Sequence, residues 1–116
     1  KATFKKSDSI SFLKSSTNKY DFIFLDGSHH ADIIYDEIMY VSNLIEDDCI
    51  ILLHDYFPDG KPIWNESTKL SCPYLAFEKI KNNNQNDIDV LPLRNLPWKT
   101  KHNSNKTSLA ILTLQT

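Results

Sequence analysis

Two short apolar runs, each followed at once by acidic and histidine residues, are the feature of this chain that most constrains its fold. The first run is Tyr20–Leu25, which leads into Asp26-Gly27-Ser28-His29-His30, and the second is 49–53, which leads into His54-Asp55. Apolar content this continuous over so few residues is typical of strands with both faces covered. The two runs therefore predict two buried strands that end in polar, chemically active side chains.

The segment between the runs carries apolar residues at helical spacing, which predicts a helix over roughly residues 31–44; these are Ile34, Ile38, Val41 and Ile45. The order strand, helix, strand predicts a right-handed crossover that joins two parallel strands. Ligands of open parallel sheets bind outside the carboxyl ends of the strands. We therefore expect Asp26 and Asp55 to lie close together at one edge of the sheet.

The rest of the chain predicts smaller elements around this unit. Residues 2–5 read as a short strand, and Ser7-Asp8-Ser9 as the N-cap of a brief helix that ends before Asn18. Residues 56–73 predict a long loop, which is followed by a helical face. Two further strands, over residues 88–93 and 108–114, have only a loop between them, which predicts an antiparallel hairpin. The predicted fold is a single α/β domain over residues 1–116, with a Rossmann-like, mostly parallel sheet and a C-terminal antiparallel hairpin.

Composition excludes several classes of function. A chain of 116 residues is the size of one domain, and a net charge of -2 gives no electrostatic signal for nucleic acid or an anionic membrane. No apolar stretch approaches the roughly 20 residues needed to span a bilayer. The chain has two cysteines in no paired pattern and only two glycines, which predicts neither a disulfide framework nor a glycine-rich phosphate loop. We expect a soluble, cytoplasmic protein with no nucleic acid or membrane partner.

The two acids at the strand ends need a compensating charge. Two carboxylates about 4 Å apart repel by roughly 4 kcal/mol at an effective dielectric of about 20. A divalent cation relieves this, with Mg²⁺, Ca²⁺ or Mn²⁺ favoured by oxygen ligands and Zn²⁺ or Fe²⁺ favoured if His29, His30 or His54 also binds. One protonated carboxyl is the alternative. Simpler roles are also open, because Asp26 can cap the following helix and His54 can be a satisfied strand-end histidine.

These residues resemble a known family. The run Tyr20–Leu25 with Asp26-Gly27-Ser28-His29, a helix, and then 50–56 with His54-Asp55-Tyr56 look like the C-terminal half of a class I S-adenosylmethionine-dependent methyltransferase. The similarity is closest to metal-dependent O-methyltransferases of the catechol and macrolide-sugar type. Pro97-Trp98 and residues 107–112 resemble the closing hairpin of that family.

The resemblance implies a role for each matching residue. Asp26 would bind the metal and face the cofactor, and His29 would be the base that deprotonates the acceptor hydroxyl. Asp55 would be the second metal ligand. The next position, where relatives carry another oxygen or amide ligand, is Tyr56. The segment Ser7-Asp8-Ser9 would reach the adenine of S-adenosylmethionine, and Mg²⁺ is the expected ion.

The chain also departs from that pattern. It has no counterpart of the glycine-containing loop that holds the cofactor's methionine and ribose, and it begins where the third strand would be. We therefore expect a fragment that lacks the N-terminal strands and is inactive alone, while the complete protein methylates a hydroxyl of a small molecule such as a sugar. The alternatives are a metal-dependent hydrolase and a non-catalytic module that packs with a partner, for instance as a homodimer.

Overall fold

The computed structural model describes residues 2–27, 30–57, 72–83 and 87–114. Three helices and four strands form in this part of the chain, together with a short 3-10 turn at Lys101–Asn103. In chain order they are α1 (Ser9–Ser15), β1 (Tyr20–Leu25), α2 (Ala31–Val41), β2 (Ile45–Leu53), α3 (Cys72–Asn82), β3 (Ile88–Pro92) and β4 (Ala110–Leu114). No helix among these described residues has the length and apolar character needed to cross a bilayer.

The four strands form one open sheet in the order β1-β2-β4-β3. Strands β1 and β2 are parallel, whereas β4 pairs antiparallel with both β2 and β3. The α/β class, the parallel crossover and the C-terminal antiparallel pair are thus confirmed. The prediction of a mostly parallel sheet is wrong for this part of the chain, because the connection after β3 contains no crossover helix and the chain reverses direction.

The predicted helices form for local reasons. Asp8 caps α1, since its carboxylate accepts a hydrogen bond of 3.0 Å from the Ser11 backbone N–H. Helix α2 begins directly after His30, as predicted. Helix α3 begins at Cys72, slightly earlier than predicted, and Pro73 in its first turn has no N–H to leave unpaired.

The segment 2–5 does not form the predicted strand. In the described sheet, β1 is an edge strand that pairs with β2 alone. Residues 2–5 therefore do not pair with β1 and do not extend the sheet. The large apolar side chain of this segment, Phe4, is almost fully exposed. Pairing so short a segment at an edge would bury little apolar surface, and burial is what favours strand formation.

The boundary between α2 and β2 also differs from the prediction. Helix α2 ends at Val41, and Ile45 begins β2 rather than continuing the helix face. The acidic residues 46–48, which precede the predicted strand 49–53, lie within β2. They occupy an irregularity in the register, because Tyr20 pairs with Ile45 but Phe22 already pairs with Ile50. This bulge keeps the three acids exposed without interrupting the strand.

The sheet has two unlike faces. On the covered face, α2 and α3 pack on the sheet to form the core; its fully buried large side chains are Phe77, Ile38, Ile51, Leu53, Ile80 and Val41. The open face carries apolar residues from all four strands; they are Phe22, Phe24, Ile50, Leu52, Leu91 and Ile111. Phe24 pairs with Leu52, and Ile111 pairs with both Leu52 and Leu91, so one apolar row crosses the whole sheet.

Candidate metal and ligand site

The carboxyl ends of the two parallel strands bring Asp26, His54 and Asp55 together. Leu25 of β1 and Leu53 of β2 are register partners, and each immediately precedes one of the polar groups. The His54 backbone N–H continues the ladder by donating to the Leu25 carbonyl at 3.2 Å. The site is therefore placed by the sheet itself, whose parallel register leaves little freedom in the separation of the two strand ends.

The three side chains converge on a single point. His54 Nδ1 lies 3.1 Å from Asp26 Oδ1 and 3.1 Å from Asp55 Oδ1. One ligand atom from each of the three residues lies within 4.8 Å of the other two. The side chains are 40% to 49% exposed, so the group is open to solvent on one side and accessible to a small ligand.

His54 Nδ1 is buried, yet it makes no hydrogen bond of acceptable geometry. The two 3.1 Å distances suit hydrogen bonds, but neither carboxylate oxygen lies in the direction in which a ring N–H would point. The N–H direction is fixed by the ring plane and a hydrogen bond weakens steeply off that line, so neither contact is a hydrogen bond. A buried nitrogen in contact with two carboxylates and aligned with neither calls for an explanation.

The backbone directly after β2 is strained at Asp55, and Ser108 holds it in this conformation. Asp55 has φ of 59°, in the left-handed region that non-glycine residues seldom occupy, although aspartate tolerates it better than most. Ser108, which is buried, holds this turn through two contacts. Its hydroxyl accepts from the Asp55 N–H at 3.3 Å, and its carbonyl accepts from the Tyr56 N–H at 2.9 Å. Such strain persists only where surrounding contacts enforce it, and it is common at functional sites.

The structure places the three predicted ligands of this site in different surroundings. Asp26 and Asp55 lie close together as expected, and His54, which the sequence left undecided, lies between them. Tyr56 is buried, and its ring packs against Tyr74 with centroids 5.9 Å apart. Burial raises the pKa of the Tyr56 hydroxyl, which disfavours the phenolate form. Its role as a ligand stays a prediction.

A large cavity adjoins this group. It has a volume of about 1100 Å³, and its walls include the predicted cofactor segment Ser7-Asp8-Ser9 together with the aromatic rings of Phe12 and Tyr20. The hydrogen bond from the Ser11 backbone lowers the pKa of Asp8, so its carboxylate is negative near neutral pH. Gly27 and Glu37 line both this cavity and the narrow cleft that contains Asp26, His54 and Asp55.

Two residues near the site were not identified from the sequence. Ser108 gives no sequence signal, because a serine near a strand start is common. Glu37 did give one, since it lies among Ile34, Ile38 and Val41 on the apolar stripe of α2, where an acid is unusual. An acidic residue on a buried helix face is therefore the pattern that would have found it.

The predicted base, His29, lies outside the described residues, as does Ser28. His30 lies at the start of α2, where its side chain makes no capping hydrogen bond with the helix. The assignment of His29 stays a prediction. Neither a scan against protein-family models nor a search of curated proteins finds a match to this chain.

Proposed function

We propose that Asp26, His54 and Asp55 bind a divalent cation. The observation that carries this proposal is the position of His54 Nδ1, which is buried, 3.1 Å from an oxygen of each carboxylate and aligned with neither. A cation among the three groups would give the nitrogen lone pair a partner and would compensate both negative charges. Two carboxylate oxygens and one imidazole nitrogen are a common donor set for such ions.

The spacing of the donor atoms fits a metal. Ligands at right angles around an ion, with bonds near 2.1 Å, lie about 3 Å apart. The two 3.1 Å distances from His54 Nδ1 are close to this value. Because the set includes an imidazole, we propose Mn²⁺, Fe²⁺ or Zn²⁺ ahead of the Mg²⁺ expected from the acids alone.

A protonated His54 bridging two carboxylates would give the same distances without any metal. Calorimetric titration of the chain with Mg²⁺, Mn²⁺ and Zn²⁺ separates the two interpretations. We expect Asp26→Asn and Asp55→Asn each to weaken binding by at least about tenfold, and Asp36→Asn, an exposed acid on α2, to leave it unchanged. If the wild-type chain binds none of these ions, the metal proposal is wrong and the ion-pair interpretation is the one that remains.

For the reaction, we propose methyl transfer from S-adenosylmethionine to a hydroxyl of a small molecule such as a sugar. Three observations support it together. The polar group lies at the carboxyl ends of parallel strands, the cavity beside it is lined by Ser7-Asp8-Ser9, and the C-terminal strands form the antiparallel pair that the resemblance predicts. We also propose that the sheet is Rossmann-like, as the resemblance implies.

In this reaction the acceptor oxygen attacks the methyl carbon in line with the carbon–sulfur bond, which breaks as the carbon–oxygen bond forms. The sulfonium becomes a neutral thioether, and the hydroxyl proton passes to a base, for which the resemblance proposes His29. The cation would act as a Lewis acid that favours the deprotonated acceptor. The chain's own residues would contribute by holding the two reactants in the near-attack geometry.

The test is transfer of a labelled methyl group from S-adenosylmethionine to a panel of sugar and catechol hydroxyls. It should use the product of the complete reading frame that encodes these residues. We expect Asp26→Asn and His29→Gln to lower the rate by roughly 100-fold, and Asp36→Asn to retain it. Absence of both cofactor binding and transfer in the wild-type protein would contradict the proposed reaction.

A metal-dependent hydrolase is the second candidate, and the presence of His54 in the group is the observation that favours it. That reaction requires histidine coordination of the ion, whereas the methyltransferase resemblance places the metal on the two acids. Because His54 belongs to the proposed ligand set, His54→Gln should weaken metal binding by at least about tenfold whichever reaction the protein catalyses, so binding of S-adenosylmethionine separates the two. A wild-type protein that binds the metal but not S-adenosylmethionine would favour the hydrolase.

The cellular setting is part of the same proposal. We propose the cytoplasm, because Cys49 carries a free thiol and thiols stay reduced in that compartment. Burial raises the pKa of this thiol, which reduces its reactivity as a thiolate.

A further inference from the structure

Glu37 is the only acidic or basic residue that is buried in the part of the chain described by the structure, with 3% of its surface exposed. It lies on the stripe of α2 that faces the core, between Ile34 and Ile38. Burying a carboxylate is unfavourable unless it is well hydrogen-bonded. An acid at such a position therefore suggests a role beyond packing.

The described partner of Glu37 is the hydroxyl of Ser9, which donates to Oε1 at 2.5 Å. A hydrogen bond to a carboxylate is shorter and stronger than one between neutral groups. The bond links the middle of α2 to the first residue of α1, across 28 positions of sequence. It therefore fixes where the Ser7-Asp8-Ser9 segment lies relative to α2.

Glu37 also lies between the two parts of the site. Its side chain lines the large cavity, whose walls include Ser7-Asp8-Ser9, and it lines the narrow cleft that contains Asp26, His54 and Asp55. Helix α1 has only seven residues and no fully buried side chain, so its own packing holds it weakly. The Ser9–Glu37 hydrogen bond thus connects the cavity wall to α2, the helix beside Asp26, His54 and Asp55.

We propose that Glu37 is a positioning residue for S-adenosylmethionine, acting through Ser9 on the Ser7-Asp8-Ser9 wall of the cavity. This inference rests on the proposed function, which supplies the ligand. Glu37 would set the distance between the part of the cofactor that contacts this wall and the reacting groups near Asp26. It would have no part in holding the cation.

The experiment compares Glu37→Ala, Glu37→Gln, Ser9→Ala and the exposed control Asp36→Ala in the product of the complete reading frame. Calorimetry measures the affinity for S-adenosylmethionine and for Mn²⁺ separately. We expect Glu37→Ala and Ser9→Ala to weaken cofactor binding by about tenfold or more, since each removes a hydrogen bond to a charged group. The glutamine variant, whose amide oxygen still accepts from Ser9, should stay within about threefold, and Mn²⁺ affinity should change less than about twofold throughout.

A second readout needs no ligand. Hydrogen exchange of the Ser11 and Phe12 amides, which bond to Asp8 at the start of α1, should accelerate by about tenfold in Glu37→Ala and Ser9→Ala, while exchange in β2 stays unchanged. Unchanged exchange and wild-type cofactor affinity in both variants would overturn the positioning role. If the wild-type protein binds no S-adenosylmethionine, the proposed function fails, and the exchange result still decides whether Glu37 positions the segment.

Discussion

Both faces of the sheet carry large apolar side chains, but their surroundings differ. On the covered face, α2 and α3 bury side chains such as Ile38 and Phe77 completely. On the open face, Phe22 and Leu91 are each 56% exposed. Strands of a parallel pair are usually buried on both faces, and an apolar patch of this kind marks a surface that packs against another element or molecule. The covered face thus supplies the buried core, and the open face is the surface on which we propose that another element or molecule packs.

The largest expected effect is a difference between the two faces in how far a substitution lowers the free energy of unfolding. We expect Phe77→Ala, on the covered face, to lower the free energy of unfolding by about 3–5 kcal/mol, because it leaves a cavity in the core. The matched change on the open face, Phe24→Ala, should lower it by only about 1 kcal/mol, because 47% of that residue is already exposed. Urea unfolding followed by circular dichroism measures both. Equal losses would mean that the open face is covered in the folded protein.

Self-association should give the next largest effect. If the open face mediates the predicted homodimer, Phe22→Lys with Leu91→Lys should weaken association by at least about tenfold, because each charge replaces an apolar contact. The control is Leu75→Lys, an exposed apolar position on α3. Sedimentation velocity over a range of concentrations measures the change. A wild-type chain that is monomeric at all concentrations would show that a second copy is not the partner.

The open face also contacts the site, through one aromatic pair. The rings of Phe24 and His54 meet edge to face, with centroids 6.3 Å apart. A pair of this geometry contributes about 0.5–1.5 kcal/mol, so Phe24→Leu should change metal affinity by roughly twofold to tenfold by releasing the imidazole. Phe22→Leu, on the same face, is the control. Identical metal affinities in both variants, measured by calorimetry, would show that the two regions are independent.

The smallest effect concerns α1, beside the covered face. The backbone N–H of Ser11 lowers the pKa of Asp8 from its ordinary 3.8. The folded state therefore holds the proton less tightly than the unfolded state does. The resulting stabilisation is present above the ordinary pKa and is lost as the pH falls through the lowered one. We expect the melting temperature of the wild type to exceed that of Asp8→Ala slightly at pH 6, with the difference shrinking below pH 4. A constant difference would exclude this linkage.

Sequence patterns correctly predicted those elements whose residues fit one type of secondary structure and no other. Strand β1 is confirmed with both of its ends, because Tyr20–Leu25 is a nearly continuous apolar run between polar residues. The end of α2 was wrong because Ile45 continues the helical spacing while also starting β2, and only the pairing of Ile45 with Tyr20 decides between them. Local spacing contains no information about such a long-range pairing.

The site was predictable to a similar degree. The proximity of Asp26 and Asp55 follows from two strand ends and the parallel crossover, and it is confirmed. The inward position of His54 was not predictable, because it depends on the left-handed turn at Asp55 and on the support of Ser108. The Ser9–Glu37 bond joins two helices that are distant in sequence, and no pattern in either helix specifies it.

The position of β4 between β2 and β3 has a consequence for biosynthesis. On the ribosome, β1, α2 and β2 emerge first and can pair as soon as residue 53 is free. Strand β3 emerges later, and among the described strands its ladder partner is β4 alone, so it stays unpaired until residues 110–114 follow it. The nascent chain therefore exposes an unpaired strand for the time needed to translate roughly twenty residues, about 1–4 s at ordinary elongation rates. A chaperone that binds apolar strands would find its binding site in β3 during that interval.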